Sequence, residues 1–138
     1  MRYFVSGHRD LTKEEFEKHY IPKIKYVLRE DYDPHFVVGD WEGCDSMFID
    51  FIKGDIGSSC TLSIFHTENF PRVAPGNIKS EDKLYEIYSE DHINLIKCNT
   101  YDDCDFFMTM ESDFDIAWIR EGRKDSHTAL NIKRRFKI

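Results

Sequence analysis

Residues 36–45 read FVVGDWEGCD. Phe36, Val37 and Val38 are apolar and β-favouring, and the run stops at a glycine before a polar loop. Residues 3–12, YFVSGHRDLT, repeat that order of strand, glycine and polar loop. A helical pattern follows each. After the first loop, Thr12 and Glu15 have the spacing of a capping box. Phe16, Tyr20, Ile24, Val27 and Leu28 then recur at helical spacing, which predicts a helix over about 13–29, kinked at Pro22. After the second loop, Met47, Phe48, Phe51 and Ile52 make one apolar helical face, expected to end near Gly54 or Gly57.

The rest of the chain continues the alternation. CTLSIF, residues 60–65, reads as a third strand, and the loop HTENFPRVAPGN, with two prolines and a glycine, as irregular. Residues 80–97 are expected to be a polar helix with a thin stripe of Leu84, Ile87, Ile93 and Ile96. A further helix is expected at about 103–111, a fourth strand at Asp115–Ile119, and a final helix at 126–136 with Leu130 and Phe136 inward. Strands alternating with helices predict an α/β domain, a mainly parallel sheet of four to five strands with helices on both faces. In such sheets ligands bind outside the carboxyl ends of the strands. SGHRD, GDWEGCD, HTENFPR and REGRKDS all fall at those ends.

At 138 residues the chain reads as a single domain with one core, and 41% hydrophobic with 33% charged residues is an ordinary globular balance. No apolar run approaches the ~20 residues that span a bilayer. The apolar part of MRYFVSGHRD is too short for a signal peptide, so no membrane partner and a cytoplasmic location are expected. Cys44, Cys60, Cys98 and Cys104 form neither a CxxC pair nor a secreted disulfide framework, and reduced thiols are expected. The six histidines lack ligand spacing, so neither a metal nor another cofactor is implied. A net charge of −7 argues against duplex nucleic acid, whose phosphates need a basic surface. The charge is uneven: residues 81–115 are acidic, whereas the C-terminal stretch carries Arg120, Arg123, Lys124, Lys133, Arg134, Arg135 and Lys137. Those two regions are either compensating solvated faces or, on the basic side, arginines converging on a small anion.

A glycine at a strand end lets backbone N–H groups approach an anion, and the helix that follows adds its positive end. Gly7 and Gly43 suit that role or simply serve their turns. Arg9, beside His8, is a fork donor for phosphate or the partner of a nearby carboxylate. Asp45 stands where a helix dipole favours a carboxylate and where a ribose hydroxyl can donate to it. Trp41 and Trp118 offer faces for a base, with Trp118 equally suited to the core. Asn69 and Arg72 lie in the third loop, placed to close over a ligand or to remain solvated.

SGHRDLT, then GDWEGCDSM, then SDFDIAWIREGRKDSHTALNIKRR together resemble the SLOG superfamily. These are Rossmann-like nucleotide-binding domains that include LOG or lysine-decarboxylase-like phosphoribohydrolases and nucleoside 2-deoxyribosyltransferases. The resemblance covers most of residues 1–138, apart from a helical expansion at about 73–100. It implies a single Rossmann-like three-layer domain that binds a nucleotide or nucleoside derivative, and, by analogy, a homodimer paired through helices beside the site. In the enzymatic branches a glutamate acts at the anomeric carbon and an aspartate positions the sugar or the nucleophile. Asp105 stands where that aspartate is expected. The glutamate does not carry over: the last loop runs Asp125-Ser126-His127-Thr128-Ala129-Leu130-Asn131, with His127 at a position usually glycine and no glutamate after it.

Three functional expectations follow. The first is a nucleotide-binding module with little or no glycosidic chemistry, with Gly7, Arg9, Gly43, Ser126 and Thr128 at phosphate and Asp45 near the sugar. The second is an N-glycosidase or 2-deoxyribosyltransferase-like enzyme with Asp105, or after it Glu111 or Asp45, as the catalytic carboxylate and His8 or His127 as the proton donor. The third is an interaction domain whose acidic face at 81–105 docks a basic partner.

Overall fold

The computed structural model describes residues 1–53, 60–72 and 92–135. The central strands turn alternate side chains to two apolar layers. Strands β1 (Arg2–Ser6), β2 (His35–Val38), β3 (Thr61–His66), β4 (Ile93–Lys97) and β5 (Phe114–Ala117) form one sheet in the order β4-β3-β2-β1-β5. Every pairing is parallel, with Phe4 opposite Val37 and Ser6 opposite Ala117. On one face Val5, Phe36, Val38, Leu62 and Ile64 pack with helices α1 (Lys13–His19), α2 (Ile21–Glu30) and α3 (Cys44–Phe51) through Phe16, Tyr20, Ile24, Phe48 and Ile49. On the other, Phe4, Val37 and Phe65 meet Cys98 and, from helix α4 (Tyr101–Met110), Cys104 and Met108. Helix α5 (His127–Arg135) packs beside α4. This is the expected Rossmann-like three-layer domain, with a five-stranded, all-parallel sheet.

Local chemistry accounts for most boundaries. Thr12 caps α1 through the predicted box: its hydroxyl accepts from the Glu15 N–H at 3.1 Å, and the Glu15 carboxylate accepts from the Thr12 N–H at 2.9 Å. The single kinked helix expected over 13–29 is instead two helices that meet at Tyr20. Pro22 sits in the first turn of α2, where its missing N–H costs nothing. Thr100 caps α4, its hydroxyl accepting from the Asp103 N–H at 3.1 Å. The helix expected over 80–97 is corrected at its end, because Ile93–Lys97 is the edge strand β4, paired with Leu62–His66. Residues 80–91 and the expected stop at Gly54 or Gly57 lie outside the described residues. Leu130 is also corrected: it is 45% exposed, and Thr128, Ala129 and Asn131 are the buried residues of α5, with Phe136 outside the described residues. Trp118 follows β5 instead of lying within a strand, partly buried and stacked on His19 with ring centroids 4.0 Å apart.

β1 leads to β2 on one side of it, while β5 returns to its other side. The loops that follow β1 and β5 therefore diverge, and a crevice opens between them. Among the described residues no helix is long and apolar enough to cross a membrane.

Candidate ligand cavity at the strand ends

A cavity of about 560 Å³ opens at that crevice. β1 and its loop supply Ser6, Gly7, His8 and Arg9, and the loop after β2 supplies Asp40, Trp41 and, from α3, Asp45. Arg72 enters from the loop after β3, Tyr101 and Asp105 from α4, and Arg123, Ser126, His127, Thr128 and Asn131 from the segment after β5. Of the candidates named from sequence, Gly7, His8, Arg9, Trp41, Asp45, Arg72, Asp105, Ser126, His127 and Thr128 line this cavity, and Gly43, Asn69 and Trp118 do not.

The two glycines have a steric role. A Cβ on Gly7 would collide with the Tyr20 hydroxyl and lie 2.6 Å from the Cys44 Sγ. Gly43 has a φ of +81°, and a Cβ there would collide with the Arg9 carbonyl. Gly43 thus lets the second loop press on the first.

His8 is buried and carries several bonds. Its carbonyl accepts from the N–H groups of Leu11 and Cys44, both at 3.2 Å. Its Nε2 accepts from the Arg120 N–H at 2.9 Å, which places the ring proton on Nδ1. Burial, then the positive charges of Arg120 and Arg123, hold its pKa below the ordinary value. With Nε2 accepting, the ring's donor is its Nδ1–H. Outside it, Arg120 bonds Glu15 at 2.6 Å and Asp10 at 3.1 Å, and Arg123 bonds Asp10 at 2.7 Å. These ion pairs tie the loop after β1 to the loop after β5. Arg135 is likewise held by Asp115 at 2.7 Å. Arg120, Arg123 and Arg135 thus answer carboxylates of the chain itself.

Arg72 is anchored by Asp40, a buried carboxylate that the sequence reading passed over. Asp40 accepts from the Arg72 backbone N–H at 2.9 Å, from Nη2 at 2.8 Å and from Nε at 3.2 Å. The guanidinium lies against two rings, 4.0 Å from the Trp41 centroid and 4.2 Å from that of Tyr101. Arg9 reaches the same indole at 5.9 Å and, among the described residues, forms no salt bridge. It is a cationic group lining the cavity.

Two further carboxylates have no arginine fork on them. Asp45 accepts from the Trp41 N–H at 3.1 Å, yet burial, with Asp40 and Asp105 nearby, pushes its pKa up to about 7. Burial also raises Asp105, against the opposing charges of His127 and Arg134. His127 Nδ1 stands 3.6 Å from Asp105, on a side chain 80% exposed. Ser126 caps α5: its hydroxyl accepts from the Ala129 N–H at 3.2 Å. Thr128 is buried in the first turn, beside Asn131 one turn on. The Ser6 hydroxyl is buried in the same cavity and, among the described residues, has no hydrogen-bond partner. Among the described residues no group of three or more metal-ligating side chains comes together.

Sequence reasoning missed Asp40, Tyr101, Ser6 and Asn131. Asp40 and Ser6 had a readable signal, a polar residue at the carboxyl end of an apolar strand. Tyr101 and Asn131 had none, since only the crossover brings them to the crevice.

The fold is that of an α/β domain with an open cavity at its topological switch point. Comparison with family models, with curated proteins and with solved structures finds no match to the chain.

Proposed function

We propose that the cavity binds a nucleotide or nucleotide-derived small molecule, with little or no glycosidic chemistry. One observation carries this reading: a cation without an ion pair among the described residues, an aromatic face and two carboxylates of raised pKa share one cavity at the crevice of a parallel sheet. Arg9 and the amino-terminal turn of α5 answer a phosphate. Asp45 and Asp105 accept hydrogen bonds from sugar hydroxyls. A volume of about 560 Å³ lies within the usual range for such ligands. The SLOG-like order of motifs points the same way, and buried, unpaired cysteines agree with a cytoplasmic setting. The test is a thermal-shift panel of nucleosides, nucleotides and sugar phosphates. A ligand at about 100 times its Kd adds about 2.7 kcal/mol, a rise in Tm of roughly 8–12 °C. An unchanged Tm across the panel at millimolar ligand overturns the proposal.

A second reading, an N-glycosidase or deoxyribosyltransferase-like enzyme, is favoured by Asp105, a cavity carboxylate with a raised pKa beside His127. Chromatographic release of free base that disappears in Asp105→Asn supports it. Release that persists in that variant removes Asp105 from the chemistry.

A further inference from the structure

Asp40, Trp41 and Tyr101 converge on one flat group, the guanidinium of Arg72. The Asp40 carboxylate is buried, and its Oδ1 accepts from Nη2 at 2.8 Å and from Nε at 3.2 Å. Those two nitrogens share one carbon, so their N–H groups meet the oxygen as a coplanar fork. The rings of Trp41 and Tyr101 lie against that carbon, with centroids 4.0 and 4.2 Å away. Oδ2 is held separately, by the Arg72 backbone N–H at 2.9 Å. A buried carboxylate edge and two aromatic faces thus make a slot for a planar N–C–N donor pair, and all three residues line the cavity.

The slot stands on one side of that cavity. Asp40, Arg72 and Tyr101 enter from segments that follow β2, β3 and β4, whereas Ser6, Ser126, Thr128 and Asn131 belong to β1 and to the segment after β5. The second side offers hydroxyl and amide groups beside the amino-terminal turn of α5, where a phosphate is favoured. A nucleotide with its phosphate there directs its base to the slot. Guanine carries the arginine fork within its own ring system, because N1–H and the 2-amino group are both bonded to C2. Adenine and cytosine set a ring acceptor beside their amino group, and uracil and thymine have a single N–H between two carbonyls. Among these bases only guanine presents the pair.

The geometry points to a guanine nucleotide as the ligand of this cavity, its base taking the place of the Arg72 guanidinium against Asp40, Trp41 and Tyr101. This inference rests on the nucleotide reading above and adds the base to it. N1–H and the 2-amino group donate to the oxygen that now takes Nη2 and Nε, while the Arg72 backbone N–H stays on Oδ2. The purine lies against the two rings. The displaced guanidinium then faces the cavity beside Arg9, which reaches the same indole at 5.9 Å. Arg72 is therefore a competitor carried by the chain itself.

Calorimetric titration of the full chain with the 5′-monophosphates of guanosine, inosine and adenosine tests it. Inosine keeps N1–H but lacks the 2-amino group, and adenosine lacks both donors. The guanosine nucleotide is expected to bind about 10- to 100-fold more tightly than either. Arg72→Ala empties the slot, so affinity for the guanosine nucleotide rises about tenfold and that for the adenosine nucleotide is unchanged. Equal affinities for the three in the wild-type chain overturn the guanine slot and leave the nucleotide reading standing. Binding of none of them at millimolar concentration overturns both. Guanosine nucleotide affinity that fails to rise in Arg72→Ala overturns the exchange with Arg72. The wild-type comparison uses no variant, so it decides the base even where Arg72→Ala does not fold.

Discussion

Tyr20→Phe removes one oxygen atom from the junction that holds the crevice in shape. The Tyr20 hydroxyl donates to the Ser6 carbonyl at 2.7 Å and accepts from the Trp118 N–H at 3.0 Å. It therefore bridges the end of β1 to the residue that follows β5, across the switch point. The side chain is fully buried, and burial holds the phenol far above its ordinary pKa, so it remains a neutral donor at every working pH. Phenylalanine keeps the ring and its stack on Phe16, with centroids 5.6 Å apart. What is lost is the partner of two polar groups with poor access to water, at about 1–3 kcal/mol each. Because the Trp118 amide is only partly buried, the lower part of that range applies, and the total is about 2–4 kcal/mol. That is a large share of the 5–15 kcal/mol typical of a domain. Urea unfolding should show a lower midpoint at unchanged m, and Tm should fall by roughly 6–15 °C. A loss below about 0.5 kcal/mol, with the variant fully folded, would refute the claim that this hydroxyl staples the two strands.

Three further outcomes are expected. Arg72→Lys keeps the charge but loses the planar fork on Asp40 and the contact with Trp41 and Tyr101; about 1–2 kcal/mol of stability should go, with a shifted Trp emission, and an unchanged urea midpoint counts against the aromatic packing. Gly43→Ala meets both a positive φ and the Arg9 backbone and should cost about 2–4 kcal/mol, whereas Gly122→Ala, at a φ of +85° with open space around it, should cost only about 1 kcal/mol; equal Tm losses would contradict the steric account. For Asp45, the folded chain holds its proton up to about pH 7 while the unfolded chain releases it near 3.8, so the native state binds more protons in that window. Stability from this group therefore falls as pH rises from about 4 to 7, and Asp45→Asn should flatten that slope and raise Tm at pH 8; parallel Tm curves for the two proteins would show that Asp45 is not held protonated.

The central elements were legible in the sequence because their signals are local. The capping box of Thr12 and Glu15 and the valine-rich β2 each record a single structural demand. Edge strand β4 was read as helix for a physical reason. Ile93 and Ile96 have helical spacing, and exposure of Asn94, Ile96 and Lys97 leaves the strand little apolar alternation to display. The break at Tyr20 was marked by Pro22, whose position suits a helix start better than a kink. Within the cavity, the sequence located the loops at the strand ends and most of their lining. The pairings were beyond it. That Asp40 takes Arg72, or that Asp10 takes Arg120 and Arg123, depends on contacts between residues 32 to 113 positions apart.

The ion pairs of Asp10 and Glu15 with Arg120 and Arg123 have a consequence for how binding data on this protein should be read. These groups sit at the surface, where added electrolyte weakens them over a Debye length of about 8 Å at physiological ionic strength. A slope of affinity against salt is ordinarily taken as a count of ligand charges neutralised. Here the same electrolyte also loosens the bond between the two loops that border the crevice. An uncharged ligand should therefore still show a salt dependence, and only the excess slope of a phosphorylated analogue over its neutral parent reports the phosphate.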